Sequence, residues 1–201
     1  MPRFPTLLLP VVLLVALIAA GALWRLGDLR SQRVQTIDVE KVQLGGPFTL
    51  TDQNGAMRSD AEFRGKYMLV FFGYTFCPDV CPTTLAVMSA ALDKMGTAAD
   101  RIVPIFISVD PARDTPDVLK AYLSAFDMRF VGLTGSEEDI AAVAKGYKVY
   151  VQAHKEEGQN YTVDHSGVVY LMDRSGAFQA NYSLDTPPDK LAAELAKQTR
   201  N

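Results

Sequence analysis

The chain opens with a long apolar run, which has no charged residue between Leu7 and Trp24 (LLLPVVLLVALIAAGALW). A helix of this length spans about 27 Å, close to the thickness of the hydrocarbon core of a bilayer. Trp24 would lie at the interface, where aromatic side chains are enriched. The pattern predicts one N-terminal transmembrane helix, which anchors the chain through residues 1–24. A cleavable signal peptide is the alternative, because AGA at residues 20–22 resembles a cleavage site.

The following segment, residues 25–45, is polar, charged and weakly periodic, which is typical of a linker. Glycine and proline at residues 45–47 end it, so we predict one folded domain over residues 46–201. Arginines are more frequent just after the apolar run than before it. Counted alone, these charges favour an internal position for the domain.

Within the domain, strand-like and helix-like segments alternate. Residues 67–72 (YMLVFF) and 102–109 are short continuous apolar runs, typical of buried strands. Apolar residues at helical spacing predict helices over residues 83–95 and 116–126. Further strands are expected at residues 48–50, 130–133, 147–151, 161–164, 167–172 and 177–182, and further helices at residues 136–146 and after Pro187. This order predicts an α/β fold with a central mixed sheet flanked by helices.

Length and charge narrow the class of protein. The 201 residues suit one domain with an appendage. Basic side chains number 20 and acidic side chains 23, which gives a net charge of −3. Because the chain has no excess of basic residues to neutralise phosphates, we expect no nucleic-acid partner.

The two cysteines, Cys77 and Cys81, lie four residues apart in a predicted loop, residues 73–82, between a buried strand and a helix. A helix N-terminus favours the thiolate form of a nearby cysteine. Because a spacing of four brings two side chains onto one face of a helical turn, the two sulfurs can form a redox-active disulfide or bind one metal ion. A purely structural disulfide is less favoured, since so short a loop contributes little stability.

The chain has two histidines. His154 lies in a charged segment and is interpreted as a surface residue, whereas His165 lies at a predicted strand end, where it serves either as a metal ligand or as a structural residue. Two thiolates and one imidazole form a soft ligand set that favours copper over hard cations. Zinc stays open, because Asp79, Asp110 or Asp164 could supply a fourth ligand.

A third polar cluster, SVDPARDTP at residues 108–116, contains Asp110, Arg113 and Asp114. It follows the carboxyl end of a predicted strand, which is where sites form in α/β sheets. The simpler interpretation is a turn and a helix cap, in which Thr115 or Asp114 caps the helix that follows, and we expect no other role for Asp114. The seven methionines are scattered and are interpreted as core residues.

The chain resembles the Sco/SenC family, thioredoxin-fold proteins that bind copper and assemble cytochrome c oxidase. Three stretches carry the resemblance: GYTFCPDVCP at residues 73–82, SVDPARDTP at residues 108–116 and YTVDHSGVVYLMD at residues 161–173. The resemblance in layout extends over about residues 45–198. It implies a thioredoxin-like fold.

The resemblance also implies a ligand set, because the family's copper ligands fall on Cys77, Cys81 and His165. Relatives often carry a histidine just before the first cysteine, where this chain has Phe76 and therefore no fourth ligand.

The resemblance further implies a function, that of a copper metallochaperone for the binuclear copper centre of cytochrome c oxidase. The implied partners are the copper-centre subunit of the oxidase and an upstream periplasmic copper donor or thiol reductant. The implied location is the bacterial inner membrane, with a single-pass anchor and the soluble domain in the periplasm. The absence of an Arg- and Ser-rich transit peptide also favours a bacterial protein.

The main alternative is a membrane-anchored thiol–disulfide oxidoreductase that reduces the cysteines of the oxidase copper site. Both functions need Cys77 and Cys81, but only copper binding needs His165. The cysteine spacing is one residue longer than the C-x-x-C of most oxidoreductases, which favours the chaperone and a non-enzymatic role. A thiol peroxidase on the same fold and a membrane-tethered redox or copper sensor are further hypotheses.

Overall fold

A computed structural model describes residues 44–154 and 161–200. The predicted anchor, residues 1–24, and nearly all of the predicted linker lie outside the described residues. In the ranges that are described, no helix combines the length and the apolar character needed to cross a bilayer.

The described residues alternate between strands and helices. The strands are β1 Thr49–Asp52, β2 Met57–Ser59, β3 Tyr67–Gly73, β4 Ile102–Ser108, β5 Val131–Thr134, β6 Val151–Ala153, β7 Val163–His165, β8 Val168–Met172 and β9 Phe178–Ser183. The α-helices are α1 Val80–Met95, α2 Pro116–Leu123, α3 Glu137–Gly146 and α4 Pro188–Gln198. Short 3₁₀ helices cover Asp60–Phe63 and Gly96–Arg101.

Seven strands form one mixed sheet in the order β2-β1-β5-β4-β3-β8-β9, and β6 and β7 form a separate hairpin. β3, β4 and β5 are parallel, whereas the outer strands pair antiparallel. Every residue of β3 is buried, as its continuous apolar sequence predicts. The structure therefore confirms the predicted α/β fold with a central mixed sheet and flanking helices.

Two of the predicted boundaries that differ from the structure bear on the site, and the first concerns helix α1. The helix begins at Val80, before the predicted start at residue 83, so Cys81 lies in its first turn rather than in the loop. The predicted cysteine loop therefore ends at Asp79, and only Cys77 belongs to it.

The second error concerns residues 147–150, which were predicted as part of a strand. Tyr147 and Val149 are buried and alternate with exposed neighbours, so the pattern has the period of a strand. Lys148, however, has a φ of 57°, and the backbone N–H groups of Tyr147 and Val149 donate to carbonyls of the last turn of α3. These residues form the end of a helix, and the strand β6 starts only at Val151.

The topology brings the candidate residues to one edge of the sheet. Cys77 follows the carboxyl end of β3, and residues 108–116 follow the carboxyl end of the parallel neighbour β4. β8 runs antiparallel to β3, with Val169 opposite Phe71. Because β8 starts at this edge, the residues just before it, including His165, lie near the cysteines.

The hydrophobic core beside this edge is a target for a stability test. Leu85 lies on the inner face of α1 and is fully buried. We expect Leu85→Ala to lower the free energy of unfolding by about 2–5 kcal/mol, because truncation leaves a cavity. Lys94→Ala on the same helix, which removes only a surface ion pair with Asp189, should cost less than about 1 kcal/mol. Chemical denaturation measures both, and equal losses would contradict this packing.

Candidate metal centre

The two cysteines have different environments. Cys77 is partly exposed in the loop after β3, whereas Cys81 is fully buried in the first turn of α1. The backbone N–H of Cys81 donates to Sγ of Cys77 at 3.4 Å. Burial raises the pKa of the Cys81 thiol far above its usual value, since a thiolate there would lose its hydration. The pair therefore contains one accessible sulfur, that of Cys77, and one protected sulfur, that of Cys81.

His165, the last residue of β7, faces the protected sulfur. Its Nε2 lies 3.5 Å from Sγ of Cys81, and its Nδ1 lies 3.2 Å from the carbonyl oxygen of Ser166. Because a carbonyl can only accept, Nδ1 carries the proton of the neutral ring and donates it, which leaves the lone pair of Nε2 directed at the sulfur. Burial lowers the pKa of His165, which favours this neutral form.

The ring of His165 packs between two aromatic side chains. The rings of Phe71 and Tyr74 meet it nearly edge-on, with centroids 6.1 Å and 6.0 Å away. Phe71 is a buried residue of β3, and Tyr74 is the buried residue that follows this strand. The imidazole is therefore oriented by the central strand itself.

The structure brings the three predicted residues together in part. Cys81 contacts both Cys77 and His165, but within residues 44–154 and 161–200 no three His, Cys, Asp or Glu side chains already form a cluster that could hold a metal ion. In a tetrahedral site with metal–sulfur bonds of about 2.3 Å and metal–nitrogen bonds of about 2.0 Å, a sulfur and a nitrogen ligand are about 3.5 Å apart. The separation of Cys81 and His165 fits such a pair.

The other candidate ligands are turned away or engaged. Asp164 alternates with His165 along β7 and so points to the opposite face of the hairpin, where its carboxylate lies 2.9 Å from Nε2 of His154. Asp110 is ion-paired with Arg113 and accepts a hydrogen bond from the hydroxyl of Tyr161. Of the three aspartates considered for zinc, only the exposed Asp79 has a carboxylate not committed to such a partner on another element.

Thr115 or Asp114 was predicted to cap helix α2, and that role is wrong for Asp114. Its side chain is fully buried, and the cap of α2 is Thr115, whose hydroxyl oxygen accepts from the N–H of Val118 at 3.4 Å. The Asp114 carboxylate accepts from the backbone N–H of Thr75 at 3.1 Å, from its hydroxyl at 2.6 Å and from the hydroxyl of Ser108 at 2.6 Å. These bonds tie the cysteine loop to the end of β4.

Arg113 joins the same loop to the segment that leads to His165. Its guanidinium lies 3.6 Å from the ring centroid of Tyr161 and 4.6 Å from that of Phe76, the residue before Cys77. It also donates to the backbone carbonyl of Tyr161 at 2.9 Å. Burial, together with the hydrogen bond from Tyr161 to Asp110, raises the tyrosine pKa to about 12. One side chain thus contacts both segments that carry the candidate ligands.

The sequence indicated this cluster only as polar residues at a strand end. Neither periodicity nor spacing shows that Asp114 is buried or that Arg113 and Tyr161, 48 residues apart, are in contact. Their presence in two of the three stretches that carry the family resemblance was the one available indication.

The fold and the site define a thioredoxin-like protein with a dithiol and a histidine at the carboxyl edge of its central strands. The model of the SCO1/SenC family matches residues 38–200, and the chain belongs to that family.

Individual relatives agree with this assignment. The SCO2-like protein of Rickettsia felis is 38% identical over 188 residues, which cover 90% of this chain and 92% of the relative. The structure of Bradyrhizobium japonicum ScoI with copper bound is 48% identical, has a TM-score of 0.72, and covers 77% of this chain and 99% of its own. BsSco, a member of the Sco family of cytochrome c oxidase assembly proteins with an identified disulfide switch, is 27% identical, has a TM-score of 0.65, and covers 79% of this chain and 94% of its own.

The unequal environments of the cysteines predict unequal reactivity. With the protein reduced and folded, iodoacetamide should alkylate Cys77 at least about tenfold faster than Cys81, because the Cys81 sulfur is buried and its thiolate is disfavoured. Mass spectrometry of peptides from a time course measures both rates. Unfolding in urea should remove the difference, and equal rates in the folded protein would contradict the described geometry.

The contribution of the buried Asp114 carboxylate to the stability of the domain can also be tested. Asp114→Ala leaves the N–H of Thr75 and two hydroxyls without their acceptor, so we expect a loss of about 3 kcal/mol in the free energy of unfolding. Ser108→Ala removes only one of these donors and should cost about 1 kcal/mol. Urea denaturation measures both variants. If Asp114→Ala were no less stable than Ser108→Ala, the carboxylate would not hold the loop.

Proposed function

We propose that this protein is a copper metallochaperone for cytochrome c oxidase, with copper bound by Cys77, Cys81 and His165. The observation that carries the proposal is the pair formed by Sγ of Cys81 and the unprotonated Nε2 of His165, 3.5 Å apart. Relatives described with copper bound, including Bradyrhizobium japonicum ScoI at 48% identity, support copper as the metal.

The ligand chemistry also favours copper over zinc. The separation of Cys81 and His165 suits either metal, since both form bonds of similar length to sulfur and nitrogen. Zinc in structural sites takes four protein ligands, whereas the aspartates at this site are largely committed to other partners. Two thiolates and one imidazole form a soft set of low coordination number, which selects copper.

The exposure of the three ligands suggests how the metal is handed over. Cys81 and His165 are held by the helix and by β7, whereas Cys77 is partly exposed on a loop. In this proposal a thiolate of the acceptor first replaces Cys77 on the copper, and Cys81 and His165 are exchanged afterwards. Ligand exchange moves the metal and leaves its oxidation state and the sulfurs of this protein unchanged.

The proposed partner is the copper-centre subunit of cytochrome c oxidase, because BsSco belongs to the Sco family of cytochrome c oxidase assembly proteins. An upstream periplasmic copper donor or thiol reductant would load the protein. We also propose that residues 1–24 anchor the chain in the bacterial inner membrane and that the domain lies in the periplasm, from the apolar run and the family resemblance.

The second candidate function is reduction of the oxidase cysteines, and the asymmetry of the two sulfurs favours it. The Cys77 thiolate would attack a disulfide of the target, and Cys81 would then displace the target thiol, leaving a Cys77–Cys81 disulfide. The target gains two electrons and two protons, which this dithiol loses. A thiol reductant must restore the dithiol before the next cycle.

A copper titration distinguishes the two functions. Under reducing conditions, the full chain in detergent should bind one copper ion, measured by metal analysis after gel filtration and by competition with a Cu(I) chelator. Cys77→Ser and Cys81→Ser should abolish binding, and His165→Ala should weaken it at least about tenfold, because one of three ligands is lost.

His154→Ala is the matched control, since His154 lies beside Asp164 on the other face of the hairpin. It should bind copper as the wild type does. Full affinity in His165→Ala would overturn the three-ligand site. Absence of copper from the wild type, together with rapid reduction of a disulfide in the oxidase subunit, would favour the oxidoreductase.

A further inference from the structure

The end of the domain opposite the metal centre carries a cluster of cations. Four side chains line a cleft of about 370 Å³ together with Gly65, Tyr67 and a single acidic residue, Asp100. The four cations, which we call the basic pole, are Lys66, Arg101, Arg174 and Arg200. All four are exposed. The surface at this cluster is therefore positively charged, although the net charge of the chain is −3.

The position of the basic pole follows from the register of the sheet. Tyr67 and Ile102, the first residues of the parallel strands β3 and β4, lie opposite each other. Lys66 and Arg101 immediately precede them, and Arg174 lies in the turn after β8. Since β3 extends by about 3.3 Å per residue, the basic pole lies about 20 Å from the edge that carries Cys77.

Hydrogen bonds to the backbone fix two of the cations. Arg101 donates to the carbonyl of Thr199 at 3.0 Å, and Arg174 donates to the carbonyl of Gly65 at 2.9 Å. These bonds hold the two arginines against the backbone just after α4 and just before β3. Lys66 and Arg200, in contrast, have no ion-pair partner within the described part of the chain. Their charges are directed to solvent beside two others of the same sign.

The first described residues of the chain contact the end of α3. The N–H of Gly45 donates to the carbonyl of Gly146, the last residue of α3, at 3.0 Å. A Cβ on Gly45 would lie 2.5 Å from Cε of Met172, the last residue of β8, and Met172 pairs with Met68 near the start of β3. The linker therefore joins the domain beside the last residue of α3 and the last residue of β8.

We propose that the basic pole docks on anionic phospholipid headgroups, so that the metal centre faces away from the bilayer. The proposal rests on the proposed anchor for the tether, and on the four cations for the contact. Cations close to an anionic bilayer each strengthen binding about fivefold, and the attraction falls away within a Debye length, about 10 Å in 0.1 M salt. A tethered domain would therefore keep one orientation, with Cys77 and His165 accessible to a soluble or membrane-bound partner.

Chemical footprinting of the full chain in vesicles tests this orientation. One set of vesicles contains phosphatidylcholine alone, and the other contains phosphatidylcholine with about a third phosphatidylglycerol. Acetylation of lysines and phenylglyoxal modification of arginines, quantified by mass spectrometry, report the accessibility of each cation. We expect Lys66, Arg174 and Arg200 to be protected in the anionic vesicles only, and the protection to disappear in 1 M salt.

Lys120 and Lys190 serve as internal references, since both are exposed and neither lines the cleft. The double variant Lys66→Gln/Arg200→Gln should lower the ratio of docked to undocked domain about 25-fold, seen as loss of protection at Arg174. The matched variant Lys120→Gln/Lys190→Gln removes the same charge and should keep that protection. Neither pair belongs to the metal centre, so copper binding should stay unchanged.

Equal modification of the basic pole in both kinds of vesicle would overturn the proposal, as would equal protection of Lys120 and Lys190. Extraction of the vesicles with alkaline carbonate tests the proposed transmembrane anchor separately. A peripheral protein is released by this treatment, whereas a protein with a transmembrane helix is retained. A chain that is retained but unprotected would contradict the docking alone. A chain that is released would contradict the proposed anchor.

Discussion

The carboxylate of Asp114 is the interaction on which the candidate metal centre depends. It is buried between β4 and the cysteine loop, where a charge loses its hydration, and burial raises its pKa. The donors from Thr75 and Ser108 offset that cost only in the folded arrangement. The loop is therefore held at one distance from the sheet, and Cys77 is presented at its end. Arg113 extends this support to Tyr161 and the segment that leads to His165.

The arrangement produces a division of roles among three candidate ligands. Cys81 and His165 are fixed by a helix turn and by a strand packed on aromatic side chains, whereas Cys77 lies partly exposed on a loop. A chaperone needs both properties, since the metal must be retained until the acceptor arrives and released when it does. The same asymmetry suits thiol–disulfide exchange, which is why the two candidate functions share a site and differ in their need for His165.

The parallel strands separate this chemistry from the opposite end of the domain. Their carboxyl ends carry the candidate metal centre, and their amino ends carry the basic pole. Loops at the two ends are independent in sequence but share β3 and β4 as a rigid connection. The proposed docking and the proposed metal transfer would therefore use separate ends of one small domain.

The sequence by itself determined the α/β alternation, the buried central strands and the candidate ligands, because apolar runs, helical periodicity and chemically rare side chains are local properties. It placed Cys81 in a loop, Asp114 at a cap and residues 147–150 in a strand, and each of these was decided otherwise by tertiary structure. Whether a carboxylate is buried, or a left-handed residue ends a helix, depends on distant chain segments. Cys81 and His165 lie 84 positions apart in the sequence, so no local pattern indicates their contact. Only the antiparallel pairing of β8 with β3 brings them together.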